Sequence, residues 1–111
     1  MNESPVFTKT HDLLLWLLPA TRKFPRDQRF VLARRLQDQA FALQDALVSA
    51  GIDALNRQRY LVQADTALTG LRKTLLLCHQ MQLLSDGQYR HASGMTAEVG
   101  RLLGSWRAKT G

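Results

Sequence analysis

Four stretches of the chain carry apolar residues at three- and four-residue steps, the spacing that places side chains on one face of a helix. Leu13, Trp16 and Leu17 broaden the first stripe, and Phe41 and Val48 broaden the second. The stripes are, in chain order, Phe7, His11, Leu14 and Leu18; Phe30, Ala33, Leu36 or Gln37, Ala40, Leu43 and Leu47; Tyr60, Ala64, Leu68, Leu71, Leu75, Cys78 and Met81 or Gln82; and Tyr89, Ala92, Met95 or Thr96, Val99, Leu103 and Trp106. The pattern predicts four amphipathic helices, each with one face to bury.

Residues that break or turn a helix separate the stripes. Pro25 lacks a backbone donor and pushes Phe24 out of the helical conformation, so one helix ends there and the next begins near Asp27. Gly51 offers a left-handed stop, and Ser85-Asp86-Gly87 is a turn and capping sequence. The predicted breaks lie near residues 23–26, 50–55 and 84–88. Because such short connections make successive helices neighbours, the predicted fold is all-α, an up-down-up-down antiparallel four-helix bundle.

Two residues inside the predicted helices, Pro19 and Gly70, are unfavourable in a helix interior. Pro19 removes one hydrogen bond, and we expect it to bend the first helix, which continues to about Arg22. Gly70 lies inside the third helix, where close contact with a neighbouring backbone would explain it. We expect residues 1–5 and 107–111 to fray.

Composition sets bounds on the class of protein. With 111 residues, 45% hydrophobic and 22% charged, the chain is expected to form a single domain, residues 1–111, without a linker. The apolar run from Leu13 to Leu18 is far shorter than the ~20 residues of a membrane span. The lone Cys78 lies in an apolar run and allows no intramolecular disulfide. We therefore expect a cytoplasmic protein that does not bind a membrane.

Charge is the strongest sequence clue to function. The formal net charge is +6, and from residue 22 to residue 35 six basic residues face one acid, Asp27, a local charge of about +5. Such a cluster attracts polyanions, with nucleic acid as the leading candidate, although a basic run is commonly just a solvated face. No base-reading signature or aromatic ladder is visible, so binding should depend on phosphate and shape. The candidate nucleic-acid-binding residues are Arg22, Lys23, Arg26, Arg29, Arg34, Arg35, Arg72, Lys73, Arg101 and Arg107.

Catalytic and metal chemistry find little support in the sequence. The carboxylates are scattered, and none pairs with a histidine at a spacing typical of acid-base catalysis or metal ligation. His11 and His79 fall on or beside apolar stripes and are interpreted as packing residues, whereas His91 is expected to be an exposed helix residue. We expect neither an enzyme nor a resident metal or cofactor.

Gly100 and Gly104 stand four residues apart in the last helix. Together they cost about 2 kcal/mol of helix propensity, which predicts close approach of another helix or a neighbouring subunit on that face. Direct contact with a ligand is the alternative.

The stretch from Ala97 to Trp106, AEVGRLLGSW, resembles the ending of the accessory variability determinant (Avd) proteins of diversity-generating retroelements. These proteins belong to a wider four-helix-bundle family that includes the ribosomal intervening-sequence proteins. The pairs Phe24-Pro25, Arg29-Phe30 and Leu71-Arg72 are also similar to that family's positions. The resemblance covers nearly the whole chain.

The resemblance implies a non-enzymatic bundle that assembles as a homopentameric ring and binds the retroelement's reverse transcriptase. It also implies contact with nucleic acid through a basic surface during mutagenic retrohoming, in which template RNA is copied with adenine-directed errors into a variable gene. Arg101 and Trp106 match the family motif directly. The other basic residues match only its basic character; they are Arg22, Lys23, Arg26, Arg34 and Arg35.

Two interpretations remain open from the sequence: a retroelement accessory factor, and a four-helix-bundle RNA-binding or scaffolding protein outside any retroelement. A reverse transcriptase gene and a repeated template beside this gene would select the first. Four short helices with this many leucines are expected to expose apolar surface, which favours a homo-oligomer. The number five comes from the resemblance alone.

Overall fold

The computed structural model describes residues 4–110, and its regular elements are helices. Helix α1 spans Pro5–Arg22, α2 spans Arg34–Ile52, α3 spans Arg57–Gln80 and α4 spans Asp86–Thr110. A short turn, Arg26–Gln28, and a π-helical turn, Arg29–Ala33, lead into α2. No strand occurs in the described part of the chain. The all-α prediction and the four helices are confirmed.

Contacts between helices establish the direction of each one. Helix α2 packs against α1 and α3, and α4 closes the ring by packing against α3 and α1. Gln37 near the start of α2 donates to Thr21 Oγ1 near the end of α1, at 2.9 Å. At the other end of the bundle, the ring of Phe7 lies 3.5 Å from where a Cβ on Gly51 would be. The two helices are therefore antiparallel.

The same test holds around the ring. The rings of Phe7 and Trp106 pack edge to face with centroids 5.9 Å apart, while Trp16 meets His91 at 5.1 Å. Helices α1 and α4 therefore also run in opposite directions, as the up-down-up-down bundle requires.

The core consists mainly of leucine and alanine from all four helices. Its largest fully buried side chains are Leu13, Leu17, Leu36, Leu43, Leu47, Leu61, Leu71, Leu75 and Leu103. Burying such a side chain contributes about 1.5–3 kcal/mol. Three threonines are also buried, and each hydroxyl donates to a backbone carbonyl of its own helix: Thr10 to Val6, Thr21 to Leu18 and Thr96 to Ala92.

Three of the predicted element boundaries need comment. The expectation that α1 continues past Pro19 to Arg22 is confirmed. Fraying from residue 107 is wrong as far as Thr110, which is helical and whose hydroxyl donates to the Trp106 carbonyl at 2.9 Å. Fraying at the amino terminus is wrong for Pro5, the first residue of α1, whereas residues 1–3 and 111 lie outside the described residues.

The third helix ends a few residues earlier than its apolar pattern suggests. Gln82 adopts a positive φ of 65°, the left-handed conformation that commonly ends a helix. The Leu83 N–H donates back to the Cys78 carbonyl at 2.9 Å, across this turn. Beyond Gln80 the chain therefore turns towards α4.

The second stripe departs from prediction at its start. Phe30 was expected in the buried seam, but 78% of its surface is exposed, and Val31 is 65% exposed. Leu32 and Ala33 are buried instead. The wider π-helical turn advances the chain by fewer degrees per residue, which rotates Phe30 away from the face that Ala33 and Leu36 share. From Ala33 onward the predicted seam is buried through Leu47, apart from the half-buried Gln37.

Phe41 and Val48, predicted to broaden the same buried stripe, are also partly exposed. They lie on the side of α2 that faces the groove with α1.

A membrane-spanning helix must be both long and apolar. Within residues 4–110, no helix combines the length and the apolar character of a membrane-spanning segment.

Candidate nucleic-acid interface

A sharp bend joins α1 to the segment that precedes α2. The Phe24 N–H donates to the Thr21 carbonyl at 3.2 Å, and the Phe24 side chain is buried, which anchors the bend to the core. Pro25 is extended, with φ −52° and ψ 147°. Its carbonyl accepts from the N–H groups of Gln28 and Arg29, at 2.9 and 3.1 Å, and so begins the next helical segment.

The π-helical turn follows directly. The Arg34 N–H donates to the Arg29 carbonyl, five residues back, and to the Val31 carbonyl. π turns are rare, and they occur frequently at functional sites. Here the turn lies in the middle of the most basic stretch of the chain.

We call the six basic side chains of this segment the basic turn; they are Arg22, Lys23, Arg26, Arg29, Arg34 and Arg35. All six are exposed. Within residues 4–110, one ion pair involves this cluster. It joins Arg34 Nε to Asp38 Oδ2 at 3.8 Å, and both side chains are exposed. A surface pair of this kind is worth little. The basic turn therefore presents an almost uncompensated positive charge.

Arg72 and Lys73 are exposed on α3. Gln39 of α2 lies over Gly70, with its Nε2 2.9 Å from where a Cβ on Gly70 would be, which puts the two helices at the same level there. Since α3 runs towards the bend from that point, Arg72 and Lys73 lie on the side of Gly70 nearer to the basic turn. The contact predicted for Gly70 exists, but its partner is a side chain, not a backbone.

Arg101 and Arg107 lie in the other half of the bundle. Arg107 Nη1 donates to Asp65 Oδ2 at 2.6 Å and joins α4 to α3. Its neighbour Trp106 packs on Phe7, 15 residues or roughly 22 Å along α1 from Arg22. The structure therefore does not bring Arg107 together with the basic turn.

Arg101 forms a bidentate pair with Glu98 on the same helix, at 2.7 and 3.1 Å. The hydrogen bonds from the guanidinium lower the pKa of the Glu98 carboxyl, and the carboxylate raises the pKa of Arg101. The Arg101 side chain is 66% exposed and that of Glu98 is 37% exposed. Arg101 is therefore a partly neutralised surface cation, separate from the basic turn.

The two glycines of α4 differ from each other. A Cβ on Gly100 would lie 3.4 Å from Leu68 Cδ2 of α3, so this glycine does permit close helix packing. Gly104 is exposed, and a Cβ there would have no neighbour within 4 Å. The prediction of close approach within the bundle holds for Gly100 and fails for Gly104.

His79 and Cys78 have structural roles. His79 Nε2 lies 2.7 Å from Asp86 Oδ1, and its ring stacks on Tyr89 with centroids 4.5 Å apart, so it fastens α3 to the start of α4. Burial raises the pKa of the Cys78 thiol to about 11.

The other two histidines are exposed. This was predicted for His91, whereas His11 was predicted to pack in the core and does not. No metal-binding group of three suitable side chains occurs among the described residues.

A second surface feature lies between α1 and α2. We call it the apolar groove, and its lining residues are His11, Leu14, Leu15, Leu18, Phe41 and Gln44. It continues along His11 and Gln44 into a smaller depression that reaches Phe7 and Val48. Among the described residues 4–110, no Asp, Glu, Lys or Arg lines either part.

The family of the chain follows from a match that covers nearly all of the bundle. A family model described as bAvd-like matches residues 6–110. The chain belongs to the bAvd-like family. This confirms the resemblance drawn from the closing motif and from the residues at the bend. No curated protein matches the chain significantly. Sequence reasoning correctly located the cationic cluster of this bAvd-like chain but missed the exposure of Phe30, because nothing in the apolar spacing signals a π turn.

Proposed function

We propose that this chain is a non-enzymatic, cytoplasmic accessory protein of a diversity-generating retroelement. In this proposal it binds nucleic acid through the basic turn and associates with the reverse transcriptase during mutagenic retrohoming. Membership of the bAvd-like family supports the retroelement role. The polymerase chemistry belongs to the partner.

The observation that carries the nucleic-acid proposal is the concentration of six exposed cations at one bend. Binding a phosphate there releases condensed counterions, and the gain does not depend on base sequence. The ion pair that involves the cluster within residues 4–110, between Arg34 and Asp38, is too long and too exposed to compete strongly with a phosphate. The basic turn is therefore suited to a polyanion of any sequence.

We further propose a homo-oligomer, with five as the number that the family resemblance implies. The apolar groove supports self-association, because the cores of protein interfaces are depleted in charged residues. Leu15, one of its lining residues, is 62% exposed. A ring would place several basic turns on one particle and multiply contacts with a long nucleic acid.

A salt titration of a triple variant tests nucleic-acid binding. Replacing Arg26, Arg34 and Arg35 by Ala should weaken binding to unrelated sequences about equally. It should also reduce the slope of log affinity against log salt by about 2 per chain on single strands, since each lost phosphate contact removes about 0.7. Helicity should be unchanged, because exposed substitutions usually alter stability by less than about 0.5 kcal/mol.

The matched control removes three exposed cations from the other end of the bundle, by replacing Lys9, Arg59 and Lys109 with Ala. Both variants lose the same net charge. If they weaken binding equally, the effect is one of overall charge and the basic turn is not the site. If neither weakens binding, the nucleic-acid role is wrong.

Association with the reverse transcriptase needs its own test. A reverse transcriptase gene and a repeated template beside this gene, with co-purification of the two proteins, would support the retroelement role. A bundle that binds RNA strongly but has no such neighbour would instead be an RNA-binding or scaffolding protein outside a retroelement.

A further inference from the structure

Phe30 is the most exposed aromatic residue of the basic turn segment, at 78%. It has no aromatic partner among the ring pairs within residues 4–110. The cation–π contact in that part of the chain is elsewhere, with Arg59 over Tyr60 at 5.4 Å. The Phe30 ring therefore offers a free face to solvent, which costs hydrophobic free energy in the isolated chain.

The position of Phe30 in the helical segment puts it between cations. Arg26 precedes it by four residues and Arg34 follows it by four, which is close to one turn in either an α- or a π-helical segment, so the three side chains lie on the same side of the chain. All three side chains are exposed. The exposed aromatic ring of Phe30 therefore lies between two cationic side chains. The π turn rotates Phe30 out of the core and into this position.

We propose that Phe30 is a stacking platform for an unpaired nucleobase, so that the basic turn prefers single-stranded nucleic acid to duplex. This deepens the proposed function and rests on it. The arginines on either side of Phe30 hold the phosphates of the strand, and the ring takes the face of a base between them. Each base has a π face, so the contact is tolerant of sequence. In a duplex those faces are already stacked on neighbouring base pairs.

The charge around Phe30 favours this occupant over a second copy of the chain. A symmetric contact between copies would bring two clusters of uncompensated arginines together, and like charges in contact are unfavourable. A strand of nucleic acid supplies both the anions for the arginines and the flat apolar surface for the ring. The uncharged groove is the better surface for self-association.

The test compares Phe30→Ala with Leu55→Ala, which removes a 97% exposed apolar side chain at the other end of the bundle, outside both the basic turn and the apolar groove. The probes are a single-stranded RNA of about twenty nucleotides and mixed sequence, and the same sequence as a duplex. We expect Phe30→Ala to weaken single-strand binding by roughly 5- to 150-fold per stacked base, the range that corresponds to aromatic stacking. Duplex binding should change by less than about twofold, and the salt slope should not change, because no phosphate contact is lost.

Two further measurements separate stacking from a general disturbance. Phe30→Trp should retain or increase single-strand affinity, because a larger ring stacks at least as well. A fluorescent base analogue in the strand, whose emission falls on stacking, should be quenched by the parent and by Phe30→Trp but much less by Phe30→Ala. Light scattering should give the same mass for all Phe30 variants.

Several outcomes would overturn the inference. Equal loss on single strand and duplex, or no loss on either, would exclude a stacking role for Phe30. A smaller particle mass for Phe30→Ala would assign the ring to a contact between copies, and loss of reverse transcriptase binding alone would assign it to that partner. If the triple arginine variant also left binding unchanged, the proposed nucleic-acid function itself would be wrong, whereas an effect of the arginines without one of Phe30 overturns only the stacking platform.

Discussion

Phe30 and Phe41 lie eleven residues apart on the same helical arm, and both were expected in or beside its buried stripe. Both are exposed, by 78% and 42% respectively. Phe41 lies in a groove with Leu14, Leu15 and Leu18. Phe30 lies on a π turn between Arg26 and Arg34. The same residue type therefore appears on two different surfaces, an apolar groove and a strongly positive turn.

The charge around an exposed aromatic residue helps to decide which partner covers it. Exposed apolar area alone favours any partner that removes it from water. The surroundings make the choice, because desolvating an unpaired charge is costly. An uncharged groove can close against another copy of the chain without that cost, whereas a ring among arginines is best covered by a partner that carries anions. If the two surfaces have different partners, substitutions at Phe30 and at Phe41 should have separate effects on binding and on assembly.

Assembly should respond most strongly to substitution. Phe41→Glu would place an unpaired carboxylate in the apolar groove, and burying one at an interface costs several kcal/mol. We expect the variant to be a monomer or a much smaller particle at micromolar concentration, as measured by light scattering. Its helicity should match that of the parent, because Phe41 is partly exposed within the single bundle.

Phe30→Glu is the matched control for assembly. It introduces the same charge on the same arm, and we expect the parent's particle mass with weakened nucleic-acid binding. If Phe30→Glu dissociates the particle while Phe41→Glu does not, the assignments of the two surfaces must be exchanged. An unchanged mass for both would exclude the groove as the interface.

The next effect is on stability, and it tests the π turn that distinguishes Phe30 from Phe41. Leu32 is buried, with 8% of its surface exposed, and the adjacent Val31 is 65% exposed. Leu32→Ala should lower the free energy of unfolding by about 2–4 kcal/mol, whereas Val31→Ala should change it by less than about 0.5 kcal/mol. Denaturant unfolding followed by helix content measures both.

Regular α-helical geometry from residue 27 would give a different order. It would return Phe30 to the seam, and Phe30→Ala would then cost more than Leu32→Ala. That result would contradict both the π turn and the exposure of Phe30 on which the stacking platform depends.

Much of the fold was predictable because it depends on short-range rules. A proline disfavours the helical conformation of the residue before it, so Pro25 marks the end of a helix. Steps of three and four residues through Leu36, Ala40 and Leu43 identify a buried face. The number of helices, their order and the break at Pro25 followed from such signals. Gly51, predicted to stop α2 in a left-handed conformation, is instead helical without a positive φ, and α2 continues to Ile52. Pro19 was also handled correctly, since one lost hydrogen bond does not outweigh a continuous apolar stripe.

What the sequence did not predict depends on tertiary context. Apolar spacing assumes one helical pitch throughout, so it placed Phe30 on the buried face and could not detect a local π turn. It also could not show that Arg107 pairs with Asp65 across two helices, because the two residues are 42 positions apart in sequence. The basic turn was located correctly because its members are close in sequence and need no folding to come together.

The smallest effect concerns the end of the bundle that carries the basic turn, where His79 of α3 lies 2.7 Å from Asp86 of α4. Asp86 is a surface residue, so its loss should leave both phenylalanine surfaces unaltered. The hydrogen bond from His79, followed by the charge of that imidazole, lowers the pKa of the Asp86 carboxyl below its ordinary 3.8. The folded chain therefore holds this proton less tightly than the unfolded chain, and the stabilisation is present above that value and is lost as acidification protonates the carboxylate.

Asp86→Asn should thus lower the Tm slightly near neutral pH, with the difference from the parent disappearing as the pH falls below about 3.8, the ordinary value for this carboxyl. Asparagine is a good substitute because it keeps a short polar side chain at the first residue of α4 while removing the charge. Thermal unfolding of both proteins across this pH range measures the effect, and particle mass and single-strand affinity at neutral pH should be the same for both. A constant Tm difference down to acid pH would show that the carboxylate does not stabilise the folded chain through its charge. A change in single-strand affinity would show that stability at this end of the bundle and binding at the basic turn are coupled, and Phe30 variants would then have to be compared at matched stability.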